Sequence, residues 1–298
     1  MKHILAEKPF LSLQGEGMWS GKPSIFVRYA GCNLRCQFGL KCKNEGIKRE
    51  IPDYIQEVID NLDNYKDVQD LPVFPTYCDT YIGILGEFAK YWVTYNSEEE
   101  LANEIFALLE DKPYDINDID LVFTGGEPML VQENIITLLE YINNKKQKGL
   151  TVTIETNGTI PLREDIEKRF YDFHRFHCEF TFSISPKISS ANYTFDETCK
   201  PAVPAQYERV ADFVILKYVV KDEDDIELVK KYTKAYEKEG FIGNGVFLMP
   251  CGGKADPDFD KTQVTVFDLC VKYGYNFSPR LQMIKTFTIN LTQKELTL

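Results

Sequence analysis

Three cysteines offer the most distinctive chemistry in this sequence. Residues 31–38 (GCNLRCQF) contain Cys32 and Cys36 and read as the first part of a cysteine motif, while residues 77–80 (YCDT) read as its displaced end, with Cys78. When the two parts are joined, the thiols follow the pattern Cys-x3-Cys-x2-Cys. Three thiolates at this spacing can bind three irons of a [4Fe-4S] cluster and leave the fourth iron open to an exchangeable ligand. The sequence therefore predicts chemistry at that open iron.

Cys42 allows two alternatives to this triad. It could form a shorter triad with Cys32 and Cys36. It could also form a four-cysteine zinc site with Cys32, Cys36 and Cys78. The triad with Cys78 is favoured because residues 77–80 complete the motif, and a zinc site does not explain the glycine and carboxylate motifs downstream. The other four cysteines are interpreted as small buried residues, reduced because no export signal is recognised: Cys178, Cys199, Cys251 and Cys270.

A glycine-rich motif follows a predicted strand further along the chain. Residues 124–128 (TGGEP) come directly after the apolar run 120–123. Parallel sheets bind ligands at the carboxyl ends of their strands, so this turn is expected to lie at a ligand site. Its glycines would let a ligand approach the backbone, and Glu127 offers an acceptor for a bound ammonium group. Lys217 lies in another predicted strand, where it either snorkels to solvent or meets an anion inside a barrel.

Short β-rich runs alternate with helical periodicity after the cysteine region, which predicts an α/β fold with a parallel sheet and outer helices. Ser97 and Glu100 form a capping-box signature at the start of one helix. The other helices are predicted at 132–147, 222–240 and 261–273. The strands are predicted at 120–123, 150–154, 180–185, 213–220, 245–250 and 281–289.

Residues 37–76 differ from their surroundings. Their apolar residues between Ile51 and Tyr65 follow helical spacing, with charged residues at many of the intervening positions. We interpret this segment as an insertion in the cluster-binding loop, hypothetically a lid or a partner surface, within a single domain of residues 1–298.

The charge balance bears on the class of ligand. The chain has 34 Lys and Arg against 46 Asp and Glu, a net charge of −12, which disfavours binding to nucleic acid and favours a small-molecule substrate. The sequence has no recognisable signal peptide and no run of apolar residues long enough to span a membrane. A soluble, cytoplasmic protein is therefore expected.

In combination, these motifs resemble the radical S-adenosylmethionine superfamily and, within it, the 7-carboxy-7-deazaguanine synthase family. The resemblance spans residues 5–285 outside the insertion. The motifs that carry it follow one another in the family order: 10–17 (FLSLQGEG), 21–28 (GKPSIFVR), 31–36 (GCNLRC), 77–80 (YCDT), 124–128 (TGGEP), 154–159 (IETNGT), 185–187 (SPK) and 249–250 (MP).

The resemblance implies a partial (β/α) barrel of the radical S-adenosylmethionine type. It further implies that Cys32, Cys36 and Cys78 bind a [4Fe-4S] cluster, whose fourth iron is chelated by S-adenosylmethionine, and that Thr80 binds Mg²⁺. Cleavage of the sulfonium would give a 5′-deoxyadenosyl radical. The positions implied for binding S-adenosylmethionine are Phe38, Tyr77, Gly126, Glu127, Glu155, Ser185, Pro186 and Lys187.

The substrate implied by the family is 6-carboxy-5,6,7,8-tetrahydropterin, and the product is 7-carboxy-7-deazaguanine, formed by radical ring contraction with loss of ammonia. Arg28 would hold the substrate carboxylate with its planar fork. The other positions implied for substrate binding are Leu13, Gln14, Gly15, Glu16 and Thr124. The chain departs from the family at its C-terminus, which leaves the role of Leu298 open.

Two rival functions remain at this point. One is a radical S-adenosylmethionine activase that makes a glycyl radical on a partner enzyme, although this does not explain residues 14–17 together with Thr80. The other is a non-catalytic, cysteine-rich metal-binding module. The family resemblance also implies a homodimer and an electron donor such as flavodoxin or ferredoxin, with no nucleic-acid or membrane partner.

Overall fold

The computed structural model describes residues 1–38, 50–74, 78–146, 149–253 and 256–283. Cys42, Tyr77 and the C-terminal tail from residue 284 to Leu298 lie outside the described residues, and so do the predictions that concern them.

The described residues form ten strands. These are β1 (His3–Leu5), β2 (Phe10–Leu13), β3 (Pro23–Tyr29), β4 (Val93–Tyr95), β5 (Asp120–Gly125), β6 (Leu150–Thr156), β7 (Cys178–Ile184), β8 (Phe213–Val220), β9 (Val246–Pro250) and β10 (Asn276–Phe277).

All ten strands belong to one mostly parallel sheet, in the order β10-β9-β8-β7-β6-β5-β3-β1-β4, with β2 also paired to β3. Every neighbouring pair from β3 to β10 is parallel. By contrast, β1 pairs antiparallel with β3 and β4, and β2 pairs antiparallel with β3. In the part of the chain that is described, β10 and β4 do not pair with each other, so the sheet stays open.

The two faces of the sheet have different chemistry because side chains alternate along each strand. On β6, Val152 and Ile154 belong to the main hydrophobic core between the sheet and the helices, whereas Thr153 and Glu155 point to the other face. On β8, Leu216 and Tyr218 belong to the same core, and Lys217 points inward. The inner face is therefore polar and available for binding.

The helices flank this sheet. They are α1 (Asp53–Asp60), α2 (Tyr81–Ile84), α3 (Glu98–Ala107), α4 (Gln132–Lys146), α5 (Glu164–His177), α6 (Phe195–Thr198), α7 (Ala202–Glu208), α8 (Asp224–Lys238) and α9 (Phe259–Tyr273). The prediction of an α/β fold with a mostly parallel sheet and outer helices is confirmed. Among the described helices, none has the length and apolar character needed to cross a membrane.

The start of α3 illustrates how local sequence fixes an element. Ser97 caps this helix, because its side chain accepts a hydrogen bond from the backbone N–H of Glu100 at 3.2 Å. The Glu100 carboxylate accepts from the backbone N–H of Asn96 at 2.6 Å, one residue earlier than a strict capping box requires. The predicted start of the helix is thus correct, with a small shift in the reciprocal bond.

The last predicted strand, 281–289, is wrong over its first three residues. Leu281–Met283 form a 3-10 turn, and residues 284–289 lie outside the described part. Contacts with a distant loop explain the difference: the Leu281 N–H donates to the Gly15 carbonyl at 3.1 Å, and Gln282 binds Glu16. These contacts bend the chain toward the N-terminal loop instead of along the sheet.

The described part of the predicted insertion packs into a second hydrophobic cluster, which it shares with α2 and Phe88. Ile55 and Val58 of α1 and Leu71 are buried together with Phe88 and the residues of α2. Cys32 and Cys78 pack partly against this cluster. The inserted residues therefore lie beside the predicted cluster ligands.

Candidate active site

Cys32, Cys36 and Cys78 lie in one pocket although they come from two separate segments. We call the three thiols and the side chains that pack around them the cysteine pocket. Its apolar lining consists of Leu34, Phe38, Ala191 and Tyr193.

Polar contacts hold the first cysteine loop against the end of β6. Asn33 donates to the Thr159 hydroxyl at 2.9 Å and accepts from the Asn157 amide at 3.0 Å. The loop is also tied to the segment after β7, because the Arg35 N–H donates to the Tyr193 hydroxyl at 2.6 Å. These contacts fix the backbone between Cys32 and Cys36.

Burial dominates the protonation of the three thiols. It raises the pKa of Cys32 to about 11, and it also raises the pKa values of Cys36 and Cys78. The Lys187 ammonium opposes this increase at all three thiols. Iron binding to thiolates would remove the cost of burying their charges, so the residues present fit a bound cluster.

Across residues 1–38, 50–74, 78–146, 149–253 and 256–283, no three Cys, His, Asp or Glu side chains come together closely enough to hold one metal ion. A polynuclear cluster, whose cysteines bind different irons, requires a wider arrangement than a tetrahedral zinc site.

The glycine turn after β5 packs directly on the cysteine loop. The Glu127 N–H donates to the Gly31 carbonyl at 2.8 Å. A Cβ atom at Gly126 would come within 1.9 Å of that same carbonyl oxygen, and one at Gly125 within 2.1 Å of the Tyr29 carbonyl oxygen. Both glycines thus allow two segments of the chain to approach each other closely. From the motif alone, these glycines were expected to allow the close approach of a ligand.

Glu127 is buried in a shell of donors. One carboxylate oxygen accepts from the Thr156 hydroxyl at 2.7 Å and the Met129 N–H at 3.0 Å, and the other accepts from the Asn157 N–H at 2.7 Å. Burial raises the pKa of Glu127, while these donors and Lys187 act in the opposite direction. The carboxylate is held rigidly at the edge of the cysteine pocket.

The predicted Ser185-Pro186-Lys187 turn lies on the opposite side of that pocket. The Ser185 N–H donates to the Thr156 carbonyl at 2.7 Å, and Pro186 is buried. The Lys187 ammonium donates to the Ser185 hydroxyl at 3.0 Å and lies 5.8 Å from the centre of the Phe38 ring. Four of the predicted cofactor-binding residues therefore contact or act electrostatically on the cysteines: Phe38, Gly126, Glu127 and Lys187.

A second group of residues fills the polar inner face of the sheet. We call Glu16, Glu155, Lys217 and Arg280 the ion cluster. The Lys217 ammonium lies 2.7 Å from Glu16 and 3.4 Å from Glu155, and its side chain is only 4% exposed. Of the two alternatives left open for Lys217, the structure therefore shows the contact with anions.

Glu155 joins the residues predicted to bind substrate rather than those around the thiols. Its carboxylate accepts from the Thr124 hydroxyl at 2.9 Å and from the Gln14 amide at 3.4 Å. The Gln14 side-chain oxygen in turn accepts from the Glu16 N–H at 3.1 Å. Glu155 is expected on the cofactor side, but its contacts lie on the side of Gln14 and Thr124.

Arg280 connects the ion cluster to the cysteine pocket. Its guanidinium lies 3.5 Å from the Glu16 carboxylate, and it donates to the carboxylate of Asp79 at 3.2 Å. It also donates to the Gly252 carbonyl. Gln282 adds a bond of 2.7 Å to Glu16. Asp79 directly follows Cys78, so one buried arginine links the two parts of the site.

The remaining predicted residues occupy less enclosed positions. Arg28 lies beside Thr124 on the inner face and donates through Nε to Glu7 at 2.7 Å. Leu13 ends β2 with 47% exposure, so its side chain faces away from the ion cluster. The Thr80 hydroxyl lies 3.2 Å from the Cys78 sulfur. A Cβ at Gly15 would come within 2.1 Å of the Gln282 side-chain oxygen.

Sequence reasoning missed Glu7, Arg280 and Gln282. None of them belongs to a motif that points to chemistry. Gln282 lies in the segment that is predicted as a strand, and Arg280 comes just before it. The one signal available in the sequence is a charged residue inside an apolar strand, and this signal identifies Lys217 alone.

Comparisons with known proteins agree with this geometry. The family model described as a 4Fe-4S single cluster domain matches residues 13–195. The 7-carboxy-7-deazaguanine synthase of Clostridium acetobutylicum is 31% identical over 259 residues, which cover 87% of this chain and 86% of the relative. The chain belongs to the 7-carboxy-7-deazaguanine synthase family. A further member, from Pyrobaculum aerophilum, is 26% identical over 92% of this chain and 91% of its own length.

The fold of the family extends to a solved structure. The crystal structure of QueE from Escherichia coli matches with a TM-score of 0.51 and 19% identity, and the match covers 93% of each chain. The 31% identical relative and the 4Fe-4S family model confirm the resemblance to the 7-carboxy-7-deazaguanine synthase family that the motifs indicated. The 4Fe-4S match contains every predicted site residue, whereas Lys217, Arg280 and Gln282 lie beyond it.

Proposed function

We propose that this protein is a 7-carboxy-7-deazaguanine synthase, a carbon–nitrogen lyase that converts 6-carboxy-5,6,7,8-tetrahydropterin to 7-carboxy-7-deazaguanine with loss of ammonia. Membership of the family supports the activity. The observation that carries the proposal is the link through Arg280. This residue joins a pocket of three buried or half-buried thiols to a polar ion cluster on the inner face of the sheet.

In this proposal Cys32, Cys36 and Cys78 hold the [4Fe-4S] cluster. When bound and reduced by one electron, the cluster and S-adenosylmethionine would supply the radical chemistry for abstracting a hydrogen atom from the substrate. The chain itself contributes position and exclusion of water. Leu34, Ala191 and Tyr193 cover the thiols, and the contacts of Asn33 and Arg35 fix the loop that carries two of them.

S-adenosylmethionine is proposed to bind along the border of the cysteine pocket. Glu127 offers an anion for the amino group of its methionine part, and Lys187 offers a cation for the carboxylate. Gly126 keeps the backbone of the same turn close to the thiols. Phe38, Tyr77, Ser185 and Pro186 complete the proposed cofactor-binding set.

The substrate is proposed to bind over the ion cluster. Gln14, Glu16 and Thr124 present amide, carboxylate and hydroxyl groups to the donors and acceptors of a pterin edge. Arg28 holds the substrate carboxylate: Glu7 occupies its Nε, and the terminal nitrogens form the fork that suits a carboxylate. Leu13 and Gly15 contribute backbone groups, and we now include Glu155 in this set because of its bond with Thr124.

We further propose that Thr80 binds Mg²⁺, together with water and substrate oxygens. A hydroxyl oxygen is a hard ligand of the kind that Mg²⁺ prefers, and Asp79 provides negative charge next to it. Removal of Mg²⁺ with a chelator should raise KM for the pterin, while the iron content stays unchanged.

The partners of the enzyme follow from the same proposal. An electron donor such as flavodoxin or ferredoxin is proposed to reduce the cluster, and the cytoplasm is proposed as a compartment that keeps thiols reduced. We also propose a homodimer, supported by exposed apolar residues on one face of α9: Val264, Phe267 and Val271, with exposures of 63%, 53% and 73%.

Residues 37–76 are proposed to be an insertion in the cluster-binding loop of a single domain spanning residues 1–298. The hydrophobic cluster around Ile55 and Phe88 supports a covering role, because Cys32 and Cys78 pack partly against it. Replacing the insertion with a short linker should speed the loss of iron in air. An unchanged rate of loss would contradict the covering role.

The activity is tested with anaerobically reconstituted protein, dithionite and S-adenosylmethionine. Release of 5′-deoxyadenosine together with 7-carboxy-7-deazaguanine is expected when the carboxytetrahydropterin is added. Release only in the presence of a partner protein would support a glycyl-radical activase instead. A colourless zinc protein that releases nothing would support a non-catalytic metal-binding module.

A further inference from the structure

Lys217 has no part in the function proposed so far. It is a cation on the inner face of β8, and its side chain is almost completely buried between two carboxylates from distant parts of the chain. A buried ion pair costs so much desolvation free energy that apolar residues often replace it without loss of stability. Its presence inside a binding site therefore suggests a role toward a ligand.

The hydrogen bonds of the Glu16–Lys217 pair leave an unused donor on Lys217 and unused acceptor positions on Glu16. An ammonium group has three donors, and in the described part of the chain Glu16 and Glu155 account for two of them. Each oxygen of a carboxylate can accept two bonds. Oε2 of Glu16 accepts one from Lys217, and Oε1 accepts one from Gln282. Nε of Arg280 lies 3.5 Å from Oε1 without forming a hydrogen bond to it. One further donor and two further acceptors thus remain side by side.

The electrostatic surroundings keep both groups charged. Burial by itself raises the pKa of Glu16, but the charges of Lys217 and Arg280 and the hydrogen bonds lower it to about 2. Burial lowers the pKa of Lys217, but Glu155 and Glu16 more than compensate and raise it above its usual value. A charged acceptor and a charged donor therefore lie next to each other at neutral pH.

A pterin offers the complementary pattern on its 2-amino-4-oxo edge. The 2-amino group and the N3–H are neighbouring donors, and the 4-oxo group beside them is an acceptor. We propose that Glu16 accepts from the two donors while Lys217 donates to the 4-oxo oxygen, so that Lys217 determines specificity for a 4-oxo pterin. This inference rests on the proposed function, and it adds a residue outside the matched 13–195 region.

The first test uses the wild-type enzyme and two substrates, the carboxytetrahydropterin and its 4-amino analogue. The analogue presents a donor where the natural substrate presents the 4-oxo acceptor, and its N3 carries no hydrogen, so it would lose the bond to Lys217 and one of the two bonds to Glu16. We expect kcat/KM for the natural substrate to exceed that for the analogue by about 100-fold, because unpaired buried polar groups are rejected strongly. Equal values for the two substrates would overturn the proposal.

The second test assigns this preference to the residue. Lys217→Met should lower kcat/KM for the natural substrate by about 10- to 100-fold, the usual effect of a hydrogen bond to a charged group. It should also remove the part of the discrimination against the 4-amino analogue that arises at the 4-position, and leave the part that Glu16 exerts through N3. Lys221→Met, at an exposed lysine just beyond β8, is the matched control and should behave like the wild type. A Lys217→Met enzyme with the wild-type preference would overturn the assignment.

A binding measurement provides a readout besides activity. The product keeps the same amino-oxo edge, so Lys217→Met should weaken its affinity in calorimetry by a factor similar to the loss in kcat/KM. Cleavage of S-adenosylmethionine without substrate should stay at the wild-type rate. If Lys217→Met does not fold, Lys217→Gln, which keeps a donor, should show an intermediate preference, and the full wild-type preference there would contradict the proposal.

The outcomes separate the two proposals. If the wild-type enzyme forms no product from the pterin, the proposed function fails. If it forms product but neither the 4-amino analogue nor Lys217→Met changes the rate or the affinity, the function stands and the role of Lys217 fails.

Discussion

Burial raises the pKa of the acidic groups in both the cysteine pocket and the ion cluster, yet the net shifts are opposite. In the cysteine pocket, burial raises the pKa of Cys32 to about 11, and the Lys187 ammonium opposes this increase only in part. In the ion cluster, Lys217 and Arg280 surround Glu16 and lower its pKa to about 2 in spite of burial. The supply of counter-charge, more than burial, decides which protonation state each region holds.

This difference fits the two tasks that we propose. A pocket with little counter-charge is completed by a group that brings positive charge of its own, as iron does with thiolates. A region whose charges already compensate one another can present them to a polar, neutral ring. Arg280 belongs to the ion cluster and also contacts Asp79 beside Cys78, so the two regions share one residue.

The largest expected effect is the loss of the third thiol. Cys78→Ala should abolish the cluster absorbance and the formation of 5′-deoxyadenosine, since the remaining two thiols of the pocket cannot hold the cube. Cys251→Ala, at a buried cysteine that packs near Phe38 outside the pocket, is the control and should keep its iron. If Cys78→Ala kept its full iron content and Cys42→Ala lost its iron, the result would favour the alternative triad of Cys32, Cys36 and Cys42.

A second substitution tests whether the glycine turn serves the chain itself. Gly126→Ala places a Cβ within 1.9 Å of the Gly31 carbonyl oxygen, so the cysteine loop must move. We expect a loss of about 1–3 kcal/mol in the free energy of unfolding, and a reduced iron content. Gly86→Ala is the matched control, because nothing lies within 4 Å of its Cβ. Equal unfolding curves for both variants would show that the close approach is unimportant.

The ion cluster makes a prediction about pH. The pKa of Glu16 is about 2 in the folded protein against an ordinary value of 4.5, so the charged carboxylate stabilises the fold above pH 4.5. That contribution is lost as the pH falls from 4.5 toward 2, and its upper value is about 3 kcal/mol. Urea unfolding followed by tryptophan fluorescence should therefore show a steeper loss of stability below pH 4.5 in the wild type than in Glu16→Gln.

The control for this experiment is Glu87→Gln, at an exposed position in a 3-10 turn. It should follow the wild-type dependence on pH. Parallel curves for the wild type and Glu16→Gln would mean that Lys217 and Arg280 do not hold Glu16 in its charged form.

The two regions also differ in how far the sequence predicted them. The cysteine pocket is built from short motifs, so the types and spacing of Cys32, Cys36 and Cys78 are enough to indicate a cluster. The fold was predictable for a similar reason, since strands and helices are encoded by local periodicity. The start of α3 at Ser97 is one example.

The ion cluster was not predictable in this way. Its members are residues 155 and 217 on strands and residues 16 and 280 on loops, and only the tertiary fold brings them together. A lysine at position 217 is unusual within the apolar strand β8, but no local pattern predicts which residues it contacts. The same limit explains the wrong strand at 281–289, because contacts of Leu281 and Gln282 with a distant loop override the local preference.

Glu7, which no motif indicated, provides the smallest predicted effect. Its carboxylate binds Nε of Arg28 at 2.7 Å, and both side chains are about one-quarter exposed, at 24% and 22%. A partly exposed ion pair contributes little, so we expect Glu7→Gln to raise KM for the pterin about two- to fivefold without changing kcat. The reason is that Arg28 would lose the partner that directs its terminal nitrogens toward the substrate carboxylate.

Steady-state kinetics with Lys8→Met as the control would measure this effect, since Lys8 is exposed and contacts Glu104 instead of the site. Arg28→Lys should raise KM more than Glu7→Gln does, because an ammonium cannot form the planar fork. A fall in KM for Glu7→Gln would reverse the interpretation: Glu7 would then compete with the substrate carboxylate for Arg28, and the inner face would contain a built-in rival to the substrate.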